Sequence, residues 1–198
     1  MKTHSVSCVN IANLLTFLRL LLIPVFLRFL LGRTARSSVI ALIVFLFASI
    51  TDYLDGLIAR KHHLQTSLGE FMDPLVDKLL VCSAFIAFAC IPALHISWWL
   101  VALIIAREVF VTGMRVVALR KKAPIRTEFS GKIKTFFQMV TIVVILVLLI
   151  LRTEAGMSKG PAAVIPSALV ALSAVAALIS MFQYILKNRH IFSGQVAH

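Results

Sequence analysis

Five of the chain's eight acidic residues fall within residues 51–78: Asp52, Asp55, Glu70, Asp73 and Asp77. Asp52 and Asp55 are three apart, which on an α-helix places them about 60° apart around the axis, on one face. Asp73 and Asp77 are four apart, about 40° by the same geometry. Ser67 and Glu70 form the S-x-x-E pattern of a capping box, which starts a helix near residue 68. Two antiparallel helices joined by a short loop then present two carboxylate pairs to one another. Such a group repels itself and is costly in hydrocarbon, about 2.5–3.5 kcal/mol for one Asp at mid-bilayer. Lys78, Arg60 and Lys61 offer a salt-bridged cluster as one compensation. Regular spacing and all-oxygen ligands favour the other, hard divalent cations such as Mg²⁺ or Mn²⁺. Two ions clamping a phosphoryl group would account for four carboxylates converging.

The surroundings fit a phosphorylated ligand. Gly56 follows Asp55 directly, and Gly69 precedes Asp73 by four, leaving backbone open to close approach. Ala59 shares the face of Gly56, and Arg60 suits a phosphate. Pro74 lacks the N–H that would bond the Glu70 carbonyl, so a kink or a polar cavity is expected there. His62 and His63 read as solvated loop, and His95 lies far from the acidic stretch.

The elements that must hold these residues are almost entirely apolar. Of 198 residues, 60% are hydrophobic and the mean hydropathy is +0.98, against roughly 45–50% apolar in a soluble domain. Apolar runs long enough for about 30 Å of hydrocarbon predict helices near 11–32, 38–61, 68–92, 97–121, 131–152 and 163–187. The expected architecture is an all-α integral membrane protein, a bundle of six transmembrane helices in one domain over residues 1–198. Residues 1–10 carry neither the short apolar core nor the small-residue cleavage site of a signal peptide, so the first helix is expected to stay. Cys8, Cys82 and Cys90 have no metal-type spacing and read as small core residues. In the last helix, Ser167/Ala171 and Ser173/Ala177 form rows that let backbones approach closely.

The formal net charge is +12, but no soluble basic domain exists to carry nucleic acid. Anionic lipid and cytoplasmic loops account for the charge. With both termini inside, the cytoplasmic side receives Lys2, Arg60, Lys61, Arg120, Lys121, Lys122, Arg126, Lys132, Lys134, Lys187 and Arg189. The far side receives Arg33, Arg36, Arg152 and Lys159. The aspartates then line a polar cavity open to the cytoplasm. A divalent-cation transporter would place its acids near mid-membrane with an exit path; here the far side holds only Glu154.

Asp52-x-x-Asp55-Gly56-x-x-Ala59-Arg60, then eight residues, then Gly69-x-x-x-Asp73-x-x-x-Asp77 resembles the CDP-alcohol phosphotransferase motif at all eight of its positions. The six-helix organisation is similar as well. The resemblance implies transfer of a phosphoryl-linked alcohol from a CDP-alcohol to an acceptor hydroxyl, with release of CMP. It implies that Asp52, Asp55, Asp73 and Asp77 hold two divalent metals, Mg²⁺ or Mn²⁺, on the diphosphate. Asp77 would be the general base, Gly56, Ala59 and Gly69 would line the donor site with Asp52, and Arg60 would hold the diphosphate. The family's habit also suggests a homodimer.

Three further polar patches bear on the acceptor. Asn13, Thr16 and Arg19 recur every third residue on one face of the first helix; Asn13 and Thr16 read as packing hydrogen bonders or as part of the donor site. Arg107, Glu108 and Arg115 lie in the fourth helix, where arginines pair or face a cavity. Arg107 has Glu108 or the aspartates as partners, while Arg115 has no acid nearby in sequence. Lys132, Lys134, Thr135 and Gln138 open the fifth helix; the lysines read as interfacial anchors or, with Arg107 and Arg115, as a phosphate site. The segments N-x-x-T-x-x-R, R-E-x-x-x-x-x-x-R and G-K-x-K-T-x-x-Q-M resemble the phosphatidylglycerophosphate synthase branch of the family. That branch implies a multi-pass inner-membrane enzyme acting on CDP-diacylglycerol and sn-glycerol 3-phosphate. Phosphatidylglycerol, inositol phosphate or serine are the alternative acceptors.

Overall fold

A computed structural model of the chain describes the backbone over residues 4–32, 34–62, 67–120, 129–155 and 164–187. Side chains are described over 17–32, 34–51, 78–114, 116–117, 133–154 and 164–187. The architecture among them is all-helical: α1 (His4–Leu30), α2 (Ala35–His62), α3 (Ser67–Ala89), a 3₁₀ turn η1 (Pro92–Leu94), α4 (Trp98–Arg120), α5 (Phe129–Ala155) and α6 (Val164–Lys187). Two compact units result, one of Met1–Ala87 with Val143–Ser158 and one of Phe88–Ile142 with Lys159–His198.

In the first unit α1 packs along α2. The link between them is built by local chemistry. The N–H of Gly32 bonds Phe29 O at 3.1 Å. Thr34 then caps α2: its N–H donates to Ser37 Oγ and its Oγ1 accepts from the Ser37 N–H, both at 3.1 Å. This reciprocal cap starts α2 at Ala35, three residues before the hydropathy pattern suggests, because the cap is polar and precedes the apolar run. A Cβ on Gly32 would sit 2.9 Å from both Cβ and Oγ of Ser37, so the turn requires glycine. Phe26 of α1 and Phe45 of α2, both buried, meet with ring centroids 5.7 Å apart and planes tilted by 43°. Arg19 of α1 is likewise buried, 1% exposed.

The helix expected to reach residue 92 stops at Ala89 instead. Proline disfavours helical geometry in the residue before it, and Ile91 is extended at φ −96°, ψ 103° ahead of Pro92. His95 ends η1 in the left-handed region at φ 48°, its N–H on Pro92 O. Cys90 is exposed on this turn and Cys82 is half-buried, so the core reading fails for Cys90; Cys8 lies outside the described side chains. The expected start of α3 holds to within one residue, while the expected disturbance at Pro74 lies outside the described side chains.

In the second unit α4 packs along α6, with Val111, Met114 and Tyr184 buried together. The buried face of α6 runs Pro166, Val170, Ser173, Ala174, Ala177, Ser180 and Tyr184, at the three- and four-residue steps of one helical stripe. The Ser173/Ala177 row is inside as expected. Ser167 and Ala171 are only half-buried; Ser167 Oγ instead bonds its own helix at Val164 O, 2.9 Å.

The outer faces are apolar. Ile43, Val109, Phe136 and Phe182 are each at least 60% exposed, while Arg19, Arg107, Glu108, Lys134 and Gln138 are inside. An apolar exterior of this extent marks a surface that meets something other than water. Among the described residues, Ile133–Glu154 and Val164–Lys187 are long and apolar enough to cross a membrane, and Ala35–Thr51 and Lys78–Ala89 are shorter apolar stretches.

Candidate active site

The acidic motif is carried by the end of α2 and the start of α3. Asp52, Asp55, Gly56, Ala59 and Arg60 lie in the last turns of α2, which ends at His62. Gly69, Asp73 and Asp77 lie in the first turns of α3, which begins at Ser67. Helical backbone at these positions is what gives the three- and four-residue spacings their meaning, one carboxylate pair per helix face. The side chains of all eight lie outside the described residues. So do those of Asn13 and Thr16 in α1, Arg115 in α4 and Lys132 in α5. As a donor set, four carboxylates on two consecutive helices suit hard, oxygen-loving divalent ions and suit neither zinc nor copper.

The second unit contains a buried polar network that joins three helices. Glu108 of α4, 6% exposed, receives both Arg107 and Lys134. Arg107 Nη1 reaches Glu108 Oε1 and Oε2 at 3.3 and 3.2 Å, and its Nη2 donates to Ser180 Oγ of α6 at 2.8 Å. Lys134 of α5, 3% exposed, makes an ion pair with Glu108 Oε1. Neighbouring residues on a helix do not ordinarily face one another, so the long Arg107 side chain folds back to place its fork between Glu108 and Ser180. The Arg107–Glu108 distances are long for a charge-assisted bond.

One turn along α5 from Lys134 lies Gln138, 2% exposed, and one turn further Thr141, 1% exposed. Thr141 Oγ1 shares a hydrogen bond with Ser173 Oγ at 3.0 Å. Gln138 Nε2 has no hydrogen-bond partner among the described residues. Leaving such a donor unmade inside a protein costs about 1–3 kcal/mol. A cavity of about 320 Å³ is lined by Ile133, Lys134 and Phe137 of α5 and by Leu172, Ala176, Ile179, Ser180 and Gln183 of α6. Of the four residues expected at the acceptor, the structure thus joins Arg107 and Lys134 through Glu108. Glu108 was expected only as one of two partners for Arg107, and its pairing with Lys134 was not foreseen; nothing local signalled Ser180.

An all-helical chain with an apolar exterior, buried cations and a paired-carboxylate motif on consecutive helices defines a membrane enzyme of phosphoryl chemistry. The chain belongs to the CDP-alcohol phosphatidyltransferase family, whose model matches residues 9–182. The family generally uses divalent metal ions. The chain is similar to a probable phosphatidylglycerophosphate synthase of Mycobacterium tuberculosis, 42% identical over 136 residues. That match takes in 67% of this chain and 64% of the relative. It is 33% identical over 186 residues to a CDP-diacylglycerol–glycerol-3-phosphate 3-phosphatidyltransferase of Pectobacterium atrosepticum, covering 91% of this chain and 96% of that one. It is 38% identical over 148 residues to the Bacillus subtilis protein of the same description, covering 67% and 74%.

Proposed function

We propose that the protein transfers the phosphatidyl group of CDP-diacylglycerol to sn-glycerol 3-phosphate, giving phosphatidylglycerophosphate and CMP. The observation that carries this reading is the complete eight-residue motif on the end of α2 and the start of α3, within a family match spanning residues 9–182. The acceptor is inferred from the relatives, which are named for transfer to glycerol 3-phosphate. The working form is a six-span bundle in the inner membrane, one catalytic domain over 1–198, with termini and a polar cavity on the cytoplasmic side and a homodimer as the assembly.

Asp52, Asp55, Asp73 and Asp77 would hold two Mg²⁺ or Mn²⁺ ions. Bound there, such ions neutralise the diphosphate and the departing CMP. The chain's own groups do the rest. Gly56, Ala59 and Gly69 leave room for the cytidine end of the donor, Arg60 holds the diphosphate, and Asn13 and Thr16 add hydrogen bonds to the donor. Asp77 takes the proton of the acceptor hydroxyl as its oxygen bonds the phosphatidyl phosphorus and the bond to CMP breaks. Arg107, Arg115, Lys132 and Lys134 attract the acceptor phosphate.

The direct test is purified protein with CDP-diacylglycerol, Mg²⁺ and labelled glycerol 3-phosphate, following labelled lipid and CMP together. Asp73→Asn keeps shape and removes charge, so metal binding and turnover both collapse in that variant. Near wild-type CMP release from it would end the metal-cage reading. Release of CMP with phosphatidylglycerol, inositol phosphate or serine, and none with glycerol 3-phosphate, would reassign the acceptor.

A further inference from the structure

We infer that Ser180 of α6 is a positioning residue that acts through Arg107, its Oγ fixing the direction in which the guanidinium meets the acceptor phosphate. This rests on the proposed function, in which Arg107 serves that phosphate. Its own helix orients Arg107 poorly. Glu108 is its chain neighbour, and successive helical side chains point about 100° apart. The contacts between the two are 3.2 and 3.3 Å, and both fall on Nη1. Nη2 instead donates to Ser180 Oγ at 2.8 Å, across 73 residues of sequence. A planar group held at one nitrogen can still swing about that contact. Held at both, its rigid fork has one direction.

Packing alone does not call for a hydroxyl at this position. Ser180 is 5% exposed and lies on the buried stripe of α6, where Ala174 and Ala177 fill the preceding turns. A buried hydroxyl is costly unless it is bonded. The two serines of the stripe each meet a polar side chain of another helix, Ser173 with Thr141 and Ser180 with Arg107. The neutrality of the hydroxyl matters as much as its place. Arg107, Lys134 and Glu108 together carry one net positive charge, which favours an anion. A carboxylate at 180 would hold Arg107 but cancel that charge. Alanine would keep the charge and lose the direction. Serine keeps both.

The experiment measures both KM values and kcat for the full-length protein in CDP-diacylglycerol micelles with Mg²⁺ and glycerol 3-phosphate. Wild type is compared with Ser180→Ala, Ser180→Thr, Arg107→Met and the Ser180→Ala/Arg107→Met double variant. Ser180→Ala is expected to raise the KM for glycerol 3-phosphate about 3- to 10-fold, the worth of one hydrogen bond. Its kcat and its KM for CDP-diacylglycerol are expected to stay, because the contact serves ground state and transition state alike. Ser180→Thr is expected to restore the acceptor KM: it keeps the hydroxyl, and the cavity of about 320 Å³ that Ser180 lines has room for a methyl. With Arg107→Met already in place, Ser180→Ala is expected to change nothing further, since the two residues act as one unit. An unchanged acceptor KM in Ser180→Ala overturns the inference, as does the same rise in the Arg107→Met background. So does a Ser180→Thr protein that behaves like Ser180→Ala, or a Ser180→Ala protein that raises both KM values and melts lower, the signature of a packing role. Where Arg107→Met does not fold, the alanine and threonine variants decide by themselves. A wild type that makes no lipid from glycerol 3-phosphate overturns the proposed function, and this inference falls with it. An active wild type with any of the adverse variant results overturns the inference alone.

Discussion

Glu108 carries two cations on one carboxylate inside α4, α5 and α6, so neutralising it should destabilise the protein more than removing either cation. In Glu108→Gln the shape is kept, but Arg107 and Lys134 lose their shared counter-charge while both stay buried, 6% and 3% exposed. Breaking a buried pair by removing one partner costs about 3–5 kcal/mol, because the other charge is left uncompensated. In Lys134→Met the loss is one charged hydrogen bond, about 1.5–3 kcal/mol, since Glu108 keeps Arg107 at 3.2 Å. For a chain of this size 1 kcal/mol moves the thermal midpoint about 2–4 °C. Glu108→Gln should therefore melt roughly 6–20 °C lower. Lys134→Met should fall by roughly 3–12 °C. The double variant should lose less than the sum, by about 0.5–3 kcal/mol, because the second change removes a stranded cation. The assay is thermal unfolding of purified protein in one detergent, without donor or metal, since bound ligand would add its own stabilisation. Lys134→Met as damaging as Glu108→Gln, or a strictly additive double variant, would refute the shared-counterion argument.

Three further outcomes are expected. Asp77→Asn should lose about 10²–10⁴-fold in kcat through proton transfer, with donor affinity measured by CDP-diacylglycerol binding largely kept; an equal loss of binding would assign Asp77 to ligand holding only. Arg115→Ala should raise the KM for glycerol 3-phosphate about 10- to 150-fold, leaving cytidine-nucleotide binding intact; an unchanged acceptor KM removes it from the phosphate site. Gly32→Ala should cost about 1–3 kcal/mol, because the new Cβ meets Ser37 at 2.9 Å and Phe29 O at 3.1 Å; an unshifted thermal midpoint would show that the turn relaxes without penalty.

Helix count and the place of the acidic motif were legible in the residues because both depend on local order. Apolar run length locates a helix, and a repeat of three or four places side chains on one face whatever the helix packs against. Helix ends were legible only where the stop is itself local. The start of α3 shows in Ser67 and Glu70, whereas the Thr34–Ser37 cap and the extended Ile91 before Pro92 lie at the edges of apolar runs that hydropathy alone extends or trims.

The sequence by itself determined the family motif, the type of ion it suits and the central run of every helix. Its charges named Arg107 and Lys134 as cations needing a purpose, and it offered Glu108 only as one of two partners for Arg107. Tertiary structure decided the rest: Glu108 takes both cations, Ser180 receives Arg107 from 73 residues away, and Gln138 stays without a partner among the described residues while Thr141 finds Ser173. Spacing along one helix fixes which side chains share a face. Which face of another helix meets them depends on packing across the whole unit, and no periodicity in a single segment records that choice.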